Sequence, residues 1–130
     1  MSTKTEIVYG QVAAGATCAF TALLKKLDGT SFAPSEISSI KATILDLGDY
    51  PGANPVAVTG FDNLTLTVNS VMFAETAKTY NGKTYQRNFE WIPPTNPSPF
   101  ASSKHEYKVV INFTPTSGFC SPLVFRVKVI

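Results

Sequence analysis

The chain has 130 residues, of which 44% are apolar and only 15% charged, with a formal net charge of +2. That length fits one domain with a core large enough to stand without disulfide staples. The 11 basic residues are scattered and the net charge is small, which excludes a strong nucleic-acid footprint, and no run approaches the roughly 20 apolar residues of a membrane-spanning helix.

The opening residues MSTKTEIVYG carry no apolar run of signal-peptide length, so synthesis and assembly in the cytoplasm are expected. Residues 1–14 form a segment of their own, an arm or edge strand set off from the main core run by Gly10 and Gly15. It pairs with its own sheet or reaches onto a neighbouring subunit by strand addition, with Ile7, Val8 and Tyr9 as contact residues. Residues 15–130 read as the domain proper. From Ala16 to Lys25, Cys18, Phe20, Ala22 and Leu24 fall on one face of a strand, and Asp28-Gly29 supplies the reversal. A second core strand runs from Ser39 to Asp46, with Ile40, Ala42 and Ile44 inward. The loop GDYPGANP comes next, its prolines blocking ladder hydrogen bonds.

FDNLTLTVNS predicts a strand with Leu64, Leu66 and Val68 inward, and SVMFAE a single helical turn. Tyr85, Arg87, Phe89 and Trp91 share a face of the next strand, which Pro93-Pro94 ends, and TNPSPFASS reads as an exposed loop. Two last strands form a closing hairpin. Tyr107, Val109, Ile111 and Phe113 line one, and Leu123, Phe125, Val127 and Val129 line the other, with Arg126 and Lys128 facing water. Seven to nine short strands, frequent turns and no convincing helix predict an antiparallel immunoglobulin-like β-sandwich.

Chemistry has little to work with. His105 is the only histidine, and Glu106 beside it points to the opposite face of an extended chain, so the expected role is a strand-end side chain rather than a general base. Asp46 and Asp49 form a plain turn or a weak calcium loop. Cys18 and Cys120 match no metal-ligand spacing and are expected as reduced thiols packed as small apolar residues, with a mutual disulfide as the alternative. Cys120 in SGFCS has no base near it in sequence, and neither a phosphate loop nor a nucleophile elbow occurs. Asn63-Leu64-Thr65 and Asn112-Phe113-Thr114 match glycosylation sequons but read as strand residues. No catalytic, cofactor-binding or metal-binding residue is predicted.

Tyr50, Tyr80, Tyr85 and Phe100 either cap the ends of the sandwich or contact a partner, tyrosine being a favoured interface anchor. Together with the N-terminal segment, Tyr50, Tyr80 and Phe100 make the predicted interaction surface. A different class of function would use Trp91, Tyr80 and Tyr85 as an exposed stacking platform for a glycan or cell-surface receptor.

The run TCAFTALLKKLDGTSFAPSEISSIKATILDL resembles the start of small immunoglobulin-like β-sandwich proteins encoded in bacteriophage and prophage structural cassettes, including the N-terminal domains of baseplate upper proteins. An F-x-L strand, a DG turn and an S-I-x-x-x-I-x-D strand occur there in that order. The closing run HEYKVVINFTPTSGFCSPLVFRVKVI is similar to the end of the same proteins. The resemblance implies a non-enzymatic virion component, a capsid decoration or head or tail accessory subunit, present in repeated copies against other virion proteins. It implies no cofactor and no catalytic residue.

Overall fold

Alternation of apolar and polar residues resolves into nine strands in a computed structural model, which describes residues 7–130. They are β1 (Ile7–Val12), β2 (Phe20–Ala22), β3 (Ile37–Asp49), β4 (Val56–Ala57), β5 (Leu64–Leu66), β6 (Met72–Tyr80), β7 (Lys83–Trp91), β8 (His105–Pro115) and β9 (Leu123–Val129). A 3₁₀ turn (Pro34–Glu36) precedes β3, and a single helical turn, α1 (Val68–Val71), precedes β6. The strands form two sheets. The larger runs β1-β9-β8-β3, with β4 and β5 both paired to the outer edge of β3, and the smaller runs β2-β7-β6. The fold is an all-β sandwich.

The long antiparallel pair β3 and β8 is the spine, paired from Ile37 opposite Pro115 to Asp49 opposite His105, in one register from Ser39–Thr114 to Asp46–Tyr107 and with a register shift at each end. Ile40, Ala42 and Ile44 of β3, and Val109 and Ile111 of β8, are completely buried, as the period of two predicts. The smaller sheet packs on this face through aromatic side chains. Phe20 of β2 lies 4.7 Å from Phe125 of β9, and Phe89 of β7 meets Phe113 of β8 edge-on at 5.3 Å. The closing hairpin is present as predicted, β8 pairing antiparallel with β9 from Glu106–Lys128 to Ile111–Leu123.

Several expectations are corrected. The larger sheet is not purely antiparallel, because β1 runs parallel to β9, with Ile7 opposite Val124, Val8 opposite Phe125 and Tyr9 opposite Arg126. The strand predicted over Ala16–Lys25 contracts to Phe20–Ala22. Its continuation is diverted by Asn88, a fully buried side chain of β7. The Asn88 amide accepts from Leu24 N–H at 2.8 Å and donates to the carbonyls of Leu24 and Phe32 at 3.0 Å each, taking the place of backbone pairing. The strand over FDNLTLTVNS contracts to Leu64–Leu66, because the helical turn lies at Val68–Val71 and starts before SVMFAE, which opens at Ser70. Phe73, Ala74 and Glu75 belong instead to β6, a strand that the sequence pattern does not predict. TNPSPFASS is not an exposed loop throughout: Pro99 and Phe100 turn inward, Phe100 with no exposed surface. Arg126 does not simply face water but pairs with Glu106.

Buried amide groups left without partners cost about 1–3 kcal/mol each. Asn88→Ala is therefore expected to destabilise the fold by about 3 kcal/mol or more, read by urea denaturation. Gln86→Ala, two positions away on an exposed stretch, is expected to stay within about 0.5 kcal/mol of the parent.

Candidate interaction surface

The residues singled out in the sequence separate into different environments. The backbone of Ile7, Val8 and Tyr9 lies in β1 and pairs at home with β9, while their side chains and residues 1–6 lie outside the described residues. Tyr50 is 53% exposed, and the ammonium of Lys128 sits 4.3 Å from its ring centroid. Phe100 is a core residue, edge-on to Tyr107 at 5.4 Å and 6.2 Å from Phe20. Its benzyl group has too little polar character to remain outside when a hydrophobic gap between the sheets is available, so it caps its own core and leaves the interaction surface. Tyr80 has its backbone at the end of β6, opposite Lys83, and its side chain lies outside the described residues.

The stacking platform does not assemble around Trp91, which is only 7% exposed and packs 6.1 Å from Phe20. Tyr85, on the same strand, is 51% exposed. The two lie on one face, as alternation predicts, but the larger sheet covers only the Trp91 end.

The polar cluster at the end of β3 and β8 is a structural staple. His105 Nδ1 lies 2.8 Å from Asp46 Oδ1, and Asp49 stands 3.7 Å from the other ring nitrogen. Next to it, the Glu106 carboxylate accepts hydrogen bonds from Nη2 and Nε of Arg126 at 2.9 and 3.0 Å and from the Gly52 N–H at 3.0 Å. Arg126 also donates to the Gly52 carbonyl at 3.2 Å, which ties the loop after β3 onto the sheet. Gly52 is required there: a Cβ would stand 2.4 Å from the Cβ of Leu47. Burial pushes the Glu106 carboxyl up, but the hydrogen bonds and charge of Arg126 and the Gly52 N–H outweigh it and hold the carboxyl below its ordinary value.

Among the described residues, no group of three or more His, Cys, Asp or Glu side chains could hold a metal ion, and Asp46 and Asp49 sit in strand β3 rather than in a calcium loop. Cys18 and Cys120 are free thiols. Burial raises the Cys18 thiol and pushes Cys120 up to about 11, so both stay protonated and poorly nucleophilic near neutral pH.

The feature that stands away from the core is the β6–β7 hairpin. From Ala74 to Thr79, and from Asn81 to Gln86, every residue is exposed, so this part of the hairpin is a two-stranded ribbon with neither face covered. Its tip is Asn81-Gly82, with φ of 49° and 78°, the positive values that a tight turn matching the strand twist demands. The pairing runs Thr76–Arg87, Ala77–Gln86, Lys78–Tyr85, Thr79–Thr84 and Tyr80–Lys83. Its base is fastened: Glu75 accepts a hydrogen bond from Ser31, and Arg87 pairs with Glu90 while lying over the Phe73 ring at 5.0 Å. The sequence held the signal for this ribbon, since Asn81-Gly82 separates AKTY from KTYQ, but the weak alternation of its polar residues hid it.

A second exposed feature lies at one end of the sandwich. Leu27 and Phe119 are 64% and 56% exposed and stand at the mouth of an apolar groove of about 430 Å³ between the strand leading out of β2 and the chain leading into β9. Comparison with family models, curated proteins and solved structures finds no match to this chain.

Because Glu106 is depressed in the folded state, its contribution is present above the ordinary glutamate value of 4.5 and is lost as pH falls through the lower folded value. Glu106→Gln, a mimic of the protonated acid, is expected to cost about 1–2 kcal/mol at pH 7. In urea titrations from pH 7 to pH 3 the gap from the parent should close as pH falls. A gap that stays constant would contradict the ion-pair assignment.

Proposed function

We propose that this chain is a non-enzymatic structural subunit of a bacteriophage particle, a capsid decoration or head or tail accessory protein that works through protein–protein contacts and resides in the virion. The observation that carries this reading is the β6–β7 ribbon. Two strands with both faces in solvent gain little from burial, and an isolated hairpin is marginally stable at best. Twelve positions, Ala74 to Thr79 and Asn81 to Gln86, are nonetheless set out beyond the covered part of the small sheet. A structure of that kind repays its ordering when a neighbour covers it.

The two runs that carry the resemblance support the same reading. They meet as β3 against β8 at the centre of the large sheet, so what they specify is a scaffold. His105 is joined to Asp46, yet none of the cavities described includes it, and the thiols are held protonated elsewhere. A glycan platform built on Trp91 loses its central ring to the core.

The test is replacement of residues 77–86 by Asn-Gly, which rejoins Thr76 to Arg87 through a tight turn. The variant is expected to fold, with unfolding free energy within about 1 kcal/mol of the parent. Light scattering and sedimentation with particles assembled from the neighbouring capsid and tail proteins should show the parent binding in repeated copies and the variant failing to bind. A parent that ignores such particles while binding glycans would overturn the proposal.

A further inference from the structure

We infer that the open seam beside β2 is a strand-acceptor site, which takes an extended segment of another protein whose alternate side chains are apolar. The two sheets differ in width. The ring of Phe20 in β2 lies 4.7 Å from Phe125 of β9, and that of Phe89 in β7 lies 5.3 Å from Phe113 of β8, so β2 and β7 sit across from β9 and β8. β1 lies beyond β9, and among the described residues no strand sits across from it. Gly10 and Val12 share the face of β1 that carries their partners Val127 and Val129 inward. Val12 is buried, but Gly10 is exposed, and a Cβ built on it would meet nothing within 4 Å. The smaller sheet is one strand short at this end.

The pairing edge belongs to β2. It pairs only with β7, and among the described residues no other group hydrogen-bonds the main chain from Ala19 to Leu23. An edge strand turns alternate N–H and C=O groups away from its partner, where another strand can bond them. Beside that edge the seam is hollow. One cavity of about 240 Å³ lies between Gly10 and Gln11 of β1 and Cys18 to Thr21. The groove of about 430 Å³ continues toward Leu27 and Phe119, and Thr21 and Phe125 line both spaces. A strand added to β2 would direct alternate side chains into them, and would cover two large apolar side chains now 64% and 56% exposed, Leu27 and Phe119.

The occupant follows from what this chain lacks. Residues 1–6, MSTKTE, hold a single apolar side chain and supply no alternating series. The apolar series of β3, β8 and β9 are sealed in the core, so a second copy could lend one only by unfolding. Two β2 edges paired together would satisfy main chain but fill neither hollow, because Phe20 and Leu24 are already buried. A fatty acyl chain would fill the hollows and leave the β2 edge unpaired. An extended peptide from a different protein does both. The site is separate from the β6–β7 ribbon and does not draw on the assembly reading.

The experiment selects a displayed library of random peptides on the full chain, then follows isotope-labelled backbone amides on titration with the tightest-binding peptide. Selected peptides are expected to carry apolar residues at alternate positions and to shift amides in β1, from Cys18 to Leu27 and from Phe119 to Val127. The double variant Leu27→Ser, Phe119→Ser should bind at least about tenfold more weakly, with the parent's melting transition. An added strand pairs through one of its two edges, so N-methylation of alternate peptide amides should abolish binding in one phase and be tolerated in the other. No binder in the library, shifts elsewhere, full binding by the double variant, or equal effects of the two methylation phases would overturn the inference. So would stronger shifts of the same amides with laurate, or self-association of the free chain that the double variant loses. The Asn-Gly replacement of the ribbon should bind the peptide like the parent. Loss of particle binding in that replacement with peptide binding intact separates the two sites, and failure of either reading leaves the other standing.

Discussion

The pairing of β3 with β8 is the constraint on which the other elements depend. Five side chains on these two strands, Ile40, Ala42, Ile44, Val109 and Ile111, are completely buried, and a slip of one residue would turn all of them to solvent. With that register fixed, β9 adds to the free edge of β8 and β1 to β9, while β4 and β5 share the other edge of β3. The smaller sheet then closes over the apolar face through Phe20, Phe89 and Trp91. Its strand β7 is longer than the face it covers. Phe89 and Trp91 reach core, whereas Lys83 to Gln86 extend past the rim, and that mismatch in length makes the ribbon.

The strands that were legible in the sequence are those where burial alternates strictly. Ile40, Ala42 and Ile44, and the two series in β8 and β9, are visible because one face is sealed and the other is not. Three kinds of feature were not legible. β6 escaped because a ribbon open on both faces needs no alternation, so AETAKT lacks a strand pattern. The shortness of β2 escaped because it depends on a single distant amide, Asn88, whose partners lie 64 and 56 residues away in sequence. Phe100 read as a loop aromatic because nothing in TNPSPFASS shows that a gap between sheets awaits it.

The polar side of the molecule is arranged around local satisfaction. The loop after β3 is held by Arg126, Glu106 and the Gly52 backbone, and Lys128 lies over Tyr50. Lys26 pairs with Glu36, whose carboxylate also accepts the Ala33 N–H at 2.9 Å. A chain with only 15% charged residues that pairs many of them at home keeps little charge for long-range attraction.

Hydrogen–deuterium exchange on the chain alone and on the chain incorporated into particles tests the assembly role most directly. Amides in the covered part of β3 and β8 are expected to exchange slowly in both states. Those of Ala74–Arg87 should exchange rapidly in the free chain and become strongly protected on incorporation. A ribbon that exchanges at the same rate in both states, with protection arising on another face or nowhere, would contradict the role assigned to it.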